Sequence, residues 1–205
     1  MKWIRVLTVL LLGGTLMGSN DALAATPAAR SAVKAKAAAA KGGGDVAVLK
    51  TSLGTIVFKF HDLEAPKHVA NFKRLANEKF YDGTTFHRII PGFMIQGGDP
   101  NSKDADRGND GIGGSGSNIP AEFNAQKHVR GTVSMARAAD PNSASSQFFI
   151  CIKPQTSLDG KYSVFGQVIE GQDVVDAIVA VPRDGRDNPL DKVIMEKVSI
   201  EKRKL

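Results

Sequence analysis

Residues 86–99 read FHRIIPGFMIQGGD, an apolar stretch with single polar side chains set into it and a Pro91-Gly92 turn near its middle. Strand alternation over its first arm puts Phe86 and Arg88 on one face, His87 and Ile89 on the other. The turn then projects Phe93 and Met94 from a new direction, with Gln96 two residues further on. A second segment of the same character, SMARAADPNSASSQFFI, runs from Ser134 to Ile150, and in it Gln147 and Phe149 share a face. An arginine and a glutamine directed to where Phe and Met gather describe an apolar pocket with polar groups at its rim, the usual build of a small binding site. The same spacing also fits a plainer arrangement, with Phe93, Met94 and Phe149 in the core and Arg88 a surface cation.

Outward from these segments the chain is a succession of short β-type runs. VAVLKTSLGTIVFKF (46–60) reads as a hairpin turning at Ser52-Leu53-Gly54, with Ile56, Phe58 and Phe60 on one face of its second arm and Val57 and Lys59 on the other. Further runs fall at 86–90, 93–96, 131–135, 147–152, 163–169 and 192–200. Two helices interrupt them. One opens at Pro66 with Val69, Phe72, Leu75 and Ala76 on one face, and one follows Gly171 with Val174, Val175, Ile178 and Val179 as its stripe. Many short strands and only two helices predict a mainly β domain, an antiparallel sheet closed into a barrel or sandwich.

The net charge of +6 does not belong to that domain. Residues 45–205 hold 21 basic and 20 acidic side chains, whereas residues 25–44 carry Arg30, Lys34, Lys36 and Lys41 with no acid. A near-neutral domain lacks the clustered positive charge that phosphate backbones require, so no nucleic-acid partner is expected. Lys2 and Arg5 precede an apolar stretch from Val6 to Met17, and Ala22-Leu23-Ala24 supplies an A-x-A site. That pattern predicts a signal peptide over 1–24, cleaved after Ala24, and a periplasmic or secreted mature protein with no integral membrane segment. The Ala/Lys/Gly-rich stretch 25–44 reads as a flexible basic linker, leaving 45–205 as the folded domain.

Conventional catalytic devices are scarce. His61, His68, His87 and His128 show no metal-ligand spacing, and no G-x-S-x-G elbow is present. The single cysteine, Cys151, sits inside FFICI and reads as a small core residue. Asp104, Asp106 and Asp110 fail the calcium-loop pattern, because position 12 counted from Asp106 is Ser117. Residues 111–116 fit G-x-G-x-x-G, but they follow a polar loop instead of a strand, so dinucleotide binding is rejected. No metal and no cofactor are expected.

Both long segments, in this order and spacing, resemble the cyclophilin-type peptidyl-prolyl cis-trans isomerases, and the similarity runs from about Val46 to the C-terminus. The resemblance implies a closed eight-stranded antiparallel β-barrel capped by two α-helices. It implies an enzyme that turns X–Pro bonds in proline-containing polypeptides, without bond cleavage and so without metal or cofactor. Arg88 resembles the family's catalytic arginine and Gln96 the residue that orients it. Phe93, Met94, Phe149 and Leu158 match the pocket for the proline ring, and Ala136 with the backbone of Arg137 matches the positions that pair with an extended peptide. Gln147, His87 and Tyr162 match residues lining the same groove, with Gly111–Gly116 as a wall of the neighbouring subsite.

Three residues depart from the family's pattern. Ser157 stands where eukaryotic members carry Trp, which argues against tight cyclosporin binding; Tyr162 replaces a frequent histidine and Arg137 a frequent asparagine. The expected role is that of a monomeric isomerase assisting the folding of exported proteins, the alternative being a non-catalytic proline-peptide chaperone on the same fold.

Overall fold

The computed structural model describes residues 43–205; the expected signal peptide and nearly all of the 25–44 linker lie outside the described residues. Eight strands follow one another as β1 (Gly44–Thr51), β2 (Gly54–Phe60), β3 (Arg88–Ile90), β4 (Met94–Gly97), β5 (Thr132–Met135), β6 (Phe148–Cys151), β7 (Val164–Glu170) and β8 (Met195–Arg203). Helix α1 (Pro66–Asn77) lies between β2 and β3, and α2 (Gln172–Ala180) between β7 and β8. All strand pairs are antiparallel, and the sheet order is β3-β4-β6-β5-β7-β2-β1-β8. Every predicted strand and both helices are present. β1 begins one residue before the predicted domain boundary.

The sheet curls into a half-barrel, which corrects the expectation of full closure by strand pairing. The edge strands β3 and β8 share no ladder. Instead the segment before β3 meets the start of β8 and the residues leading into it, where Phe86 N–H donates to the Val193 carbonyl (3.0 Å), Met195 N–H to that of Thr84 (2.7 Å) and Gly83 N–H to that of Met195 (2.8 Å). This seam also corrects the alternation expected at 86–89. Phe86 and Ile89 both enter the core because 86 and 87 precede β3 and follow the seam instead of its pleat.

The concave side is filled by rings packed around Phe72 of α1, with Phe58 and Phe148 edge-on to it and Tyr81 stacked on it. Its centroid lies 5.2 Å from Phe58, 5.5 Å from Phe148 and 4.8 Å from Tyr81. α1 buries Val69, Phe72, Leu75 and Ala76 as its spacing predicts, together with His68, whose Nδ1 meets a Glu122 carboxylate oxygen at 2.6 Å. α2 buries Val175 and Ile178 fully, Val174 and Val179 partly. Because strand side chains alternate, a filled concave side leaves the second face of β3–β6 for another purpose.

Candidate active site

The register of β3, β4, β6 and β5 builds the site. Arg88 pairs with Gln96, Gln96 with Phe149, and Phe149 with Ser134, so these four form one row across four strands. Two residues along, Ile90, Met94 and Cys151 form the next row. The intervening positions Ile89, Ile95, Val133 and Ile150 point to the core. Met94, Phe149 and Cys151 make a separate apolar cluster, with Phe93, Ala136, Leu158 and Tyr162 packed against it. The plainer arrangement open at the sequence level is thereby settled: these residues lie on the side of the sheet opposite the core.

A cavity of about 160 Å³ opens over this cluster, lined by Arg88, Phe93, Met94, Gln96, Ala136, Arg137, Phe149, Leu158 and Tyr162. Met94 and Phe149 form its buried floor, Arg88 is exposed, and the remaining side chains are partly covered. The Phe93 turn is tied to the Leu158 turn by Gln155, whose Nε2 donates to the Gly92 carbonyl at 2.9 Å. Arg88 makes no hydrogen bond or ion pair among the described residues, so its guanidinium is available at the mouth of the cavity. Gln96, its cross-strand neighbour, donates from Nε2 to Gln147 Oε1 (2.9 Å).

Two expected groove residues line hollows that adjoin the slot instead of the slot itself. Gln147 sits beside the cavity, donating to the Gly111 and Gly113 carbonyls at 2.9 and 2.8 Å. It lines an adjoining hollow with Gly111, Ile112 and Gly113, which is where the glycine-rich loop forms a wall. His87 does not line the apolar cavity; it is buried behind Arg88 in a third, polar hollow. The Ala136 N–H is already taken by the Gln147 carbonyl (3.0 Å), which leaves strand-like pairing with a peptide to Arg137. The Arg137 side chain does more than the sequence suggested. Its guanidinium lies 4.5 Å over the Tyr162 ring and donates to the carbonyls of Ala138, Ala139 and Lys161.

Three further residues escaped the sequence reading. His128 is buried and stacked on Phe149 (6.0 Å, 13°), with Tyr162 edge-on to both rings. Burial lowers the His128 pKa from its ordinary value, partly offset by Asp159. The ring is therefore neutral at neutral pH, with Nδ1–H donating to Asp159 Oδ1 (3.1 Å) and Nε2 accepting from the Ser134 hydroxyl (3.2 Å). Asp159 is the second. Its carboxylate also accepts the His128 backbone N–H (2.9 Å), and that bond leads in holding its pKa low.

Asp99 is the third. Fully buried, it accepts from the backbone N–H groups of Asn101 (2.8 Å), Gly111 and Gly113 (3.2 Å) and so fixes the glycine loop whose carbonyls hold Gln147. Gly98 lets the chain reach it, having φ +87° and lying where a Cβ would stand 2.7 Å from the Ser146 carbonyl oxygen. An isolated Asp after two glycines gives no signal of this; its partners are supplied only by the fold. Cys151, by contrast, is as inert as expected, its thiol fully buried and pushed up to about 12.

A curled antiparallel sheet with an apolar slot on its outer face, an unpaired guanidinium at the slot's mouth and free backbone beside it defines a protein that grips an extended peptide. The comparisons place it more closely. Residues 46–200 match the family described as cyclophilin type peptidyl-prolyl cis-trans isomerase/CLD. A peptidyl-prolyl cis-trans isomerase of Synechococcus elongatus is 51% identical over 121 residues, covering 59% of this chain and 78% of that protein. A probable peptidyl-prolyl cis-trans isomerase of Brucella abortus is 47% identical over 136 residues, 64% of this chain and 69% of the relative. Among solved structures, a Cryptosporidium parvum cyclophilin-type isomerase, crystallised in the presence of the dipeptide Ala-Pro, superposes with a TM-score of 0.70 at 33% identity over 76% of this chain and 98% of that one. The chain belongs to the cyclophilin-type peptidyl-prolyl cis-trans isomerases and is an enzyme of that class, acting on proline-containing peptides.

Proposed function

We propose that this enzyme turns X–Pro bonds in exported polypeptides, with Arg88 acting on the twisted amide while the slot of Phe93, Met94, Phe149 and Leu158 holds the proline ring. Amide resonance sets a barrier of about 18–20 kcal/mol, and unaided X–Pro isomerisation takes roughly tens to hundreds of seconds. No bond breaks, so the catalyst has only to bind the twisted state better than either planar one. As the bond twists, the prolyl nitrogen becomes pyramidal and gains a lone pair. A guanidinium, which needs no pKa tuning, donates to that nitrogen or to the neighbouring carbonyl.

The observation that carries this reading is the row Arg88–Gln96–Phe149, which sets an unpaired donor at the mouth of an apolar slot. Gln96, held by Gln147, stands beside Arg88 across the strand pair, and Arg137 offers backbone to the peptide. Lys2 and Arg5 before the apolar stretch, and Ala22-Leu23-Ala24 after it, support export, cleavage after Ala24, and work in the periplasm or outside the cell.

A protease-coupled assay on a proline tetrapeptide tests the enzymatic reading: the mature protein accelerates the slow cis phase in proportion to its concentration. Tight peptide binding without acceleration would contradict it. N-terminal sequencing of the exported form should begin at Ala25, and recovery of uncleaved protein from the cytoplasm would contradict the export reading.

A further inference from the structure

The eight described arginines divide in two. Arg74, Arg130, Arg183 and Arg203 each pair with a carboxylate. Arg88, Arg107, Arg137 and Arg186 pair with none among the described residues, and all four line the apolar slot or the hollows beside it. Arg137 is used in the slot wall. The other three surround a hollow of about 220 Å³ completed by His87, Gln96, Asp110, Gly111 and Asn188. Three guanidiniums face a single lining carboxylate there, in a domain whose charges elsewhere nearly cancel.

The side chains around this hollow are fixed in ways that leave its guanidiniums without an ion pair among the described residues. Arg107 donates to the Asn188 side chain and to the carbonyls of Pro189 and Leu190, all neutral acceptors. Arg186 makes only a long contact (3.4 Å) with the Arg107 carbonyl. Asp110 gives one oxygen to Asn188 Nδ2 (2.6 Å), and its other oxygen is buried without a partner. Asp184, outside the lining, accepts the backbone N–H groups of Arg186 and Asn188 and also feels the charges of Arg186 and Arg107, without forming an ion pair with either. His87, more than nine-tenths buried, has neither ring nitrogen in a hydrogen bond among the described residues; burial lowers its pKa, partly offset by the Asp99 and Asp110 carboxylates. A buried imidazole without a hydrogen-bond partner, beside three guanidiniums, is an environment that suits an anionic group.

We infer that this hollow is a second recognition site that takes the carboxylate of an Asp or Glu in the substrate polypeptide close to the isomerising proline. Arg88 and Gln96 line both it and the prolyl slot, so a peptide seated in the slot passes its mouth within one side chain's reach. Arg186 and Arg107 receive the carboxylate, and His87 supplies one further N–H. The inference rests on the proposed seating of proline beside Arg88, and the test separates the two.

Tetrapeptide and pentapeptide substrates are prepared with a single Glu moved through the two positions on either side of proline, each matched to its Gln counterpart. At low salt the native protein turns over the Glu peptide about fivefold faster in kcat/KM than its Gln match at one of these positions, and the ratio shrinks toward one at high salt. In Arg186→Gln the ratio falls to near one; in Lys50→Gln, which removes the same charge on β1 outside the hollow, it stays at the native value. Arg186 is chosen over Arg107, whose bonds to 188–190 brace the loop. Ratios near one at every position, or a ratio that survives Arg186→Gln, would overturn the inference. So would inorganic phosphate that shifts the Arg186 NMR signals while the Glu/Gln ratio is flat, which would mark a site for a free anion. Turnover of the Gln peptides reports on the prolyl slot alone, so its absence would instead indict the seating of proline.

Discussion

Replacing Asp99 by Asn removes one charge and exchanges one oxygen for an NH2 group at a site with no exposure to water. The carboxylate accepts three backbone N–H groups, those of Asn101, Gly111 and Gly113. Both glycine bonds go to the same oxygen, Oδ2. An asparagine can present its remaining oxygen to Asn101 or to the two glycines, but not to both. At least one backbone donor then faces an amide donor, and a buried unsatisfied donor costs about 1–3 kcal/mol, while a hydrogen bond to a charged group contributes about 1.5–3 kcal/mol. A loss of about 3 kcal/mol corresponds to a fall in Tm of roughly 6–12 °C for a domain of this size. The effect reaches the site, because the carbonyls of Gly111 and Gly113 hold Gln147, and Gln147 holds Gln96. Thermal melts and the protease-coupled assay on Asp99→Asn should therefore show a lowered Tm and a lowered kcat/KM at temperatures where the variant is still folded. A Tm within 2 °C of the native protein would refute the reasoning that Asp99 is the anchor of the glycine loop.

Two further outcomes follow from the titratable groups. Burial lowers the pKa of all four histidines below the ordinary 6.5, with Glu122 and Asp159 partly offsetting this at His68 and His128. As pH falls, the unfolded chain takes up these protons before the folded one, so stability is full above about pH 7 and declines through 6.5 and below. The lowered pKa of Glu122 adds a further loss only below its ordinary 4.5. Melting from pH 8 to 5 should show that decline, and a flat profile would contradict it. Cys151, fully buried with its thiol pushed up to about 12, should resist an aromatic disulfide reagent at pH 8 until the protein is unfolded, so fast labelling of the native state would be the contrary result.

The fold was legible in the sequence where local signals and tertiary demands agree. The hairpin at 46–60, the α1 stripe Val69–Phe72–Leu75–Ala76 and the strand pair around Pro91-Gly92 all form as their periodicity requires. Alternation failed at Phe86, because a residue outside a ladder answers to the seam with Val193 and not to a pleat. Closure was equally out of reach: whether β3 and β8 pair depends on the curl of the whole sheet.

For the site, residue types announced the slot. Phe93, Met94, Phe149 and Arg88 raised it as one of two arrangements, the resemblance added Leu158, and the register gathers them. What stayed hidden were groups that act through long-range hydrogen bonds. His128, Asp159 and Asp99 sit in unremarkable loop sequence, and their partners lie 6 to 31 residues away for His128 and up to 14 away for Asp99. His87 shows the reverse error. The resemblance placed it in the groove, but it precedes β3, and the fold buries it behind Arg88 in the polar hollow.

The account stands or falls on the guanidinium at the mouth of the slot. Arg88 is exposed and has no partner among the described residues, so Arg88→Ala should leave stability unchanged within the roughly 0.5 kcal/mol typical of surface substitutions. Losing one donor aimed at a transition state lowers turnover by about 10²–10³-fold. Turnover of a proline peptide measured beside its affinity by NMR titration should show that fall with the affinity changed no more than about threefold. Native-like turnover in Arg88→Ala, or a loss of affinity that accounts for all of the loss in rate, would contradict it.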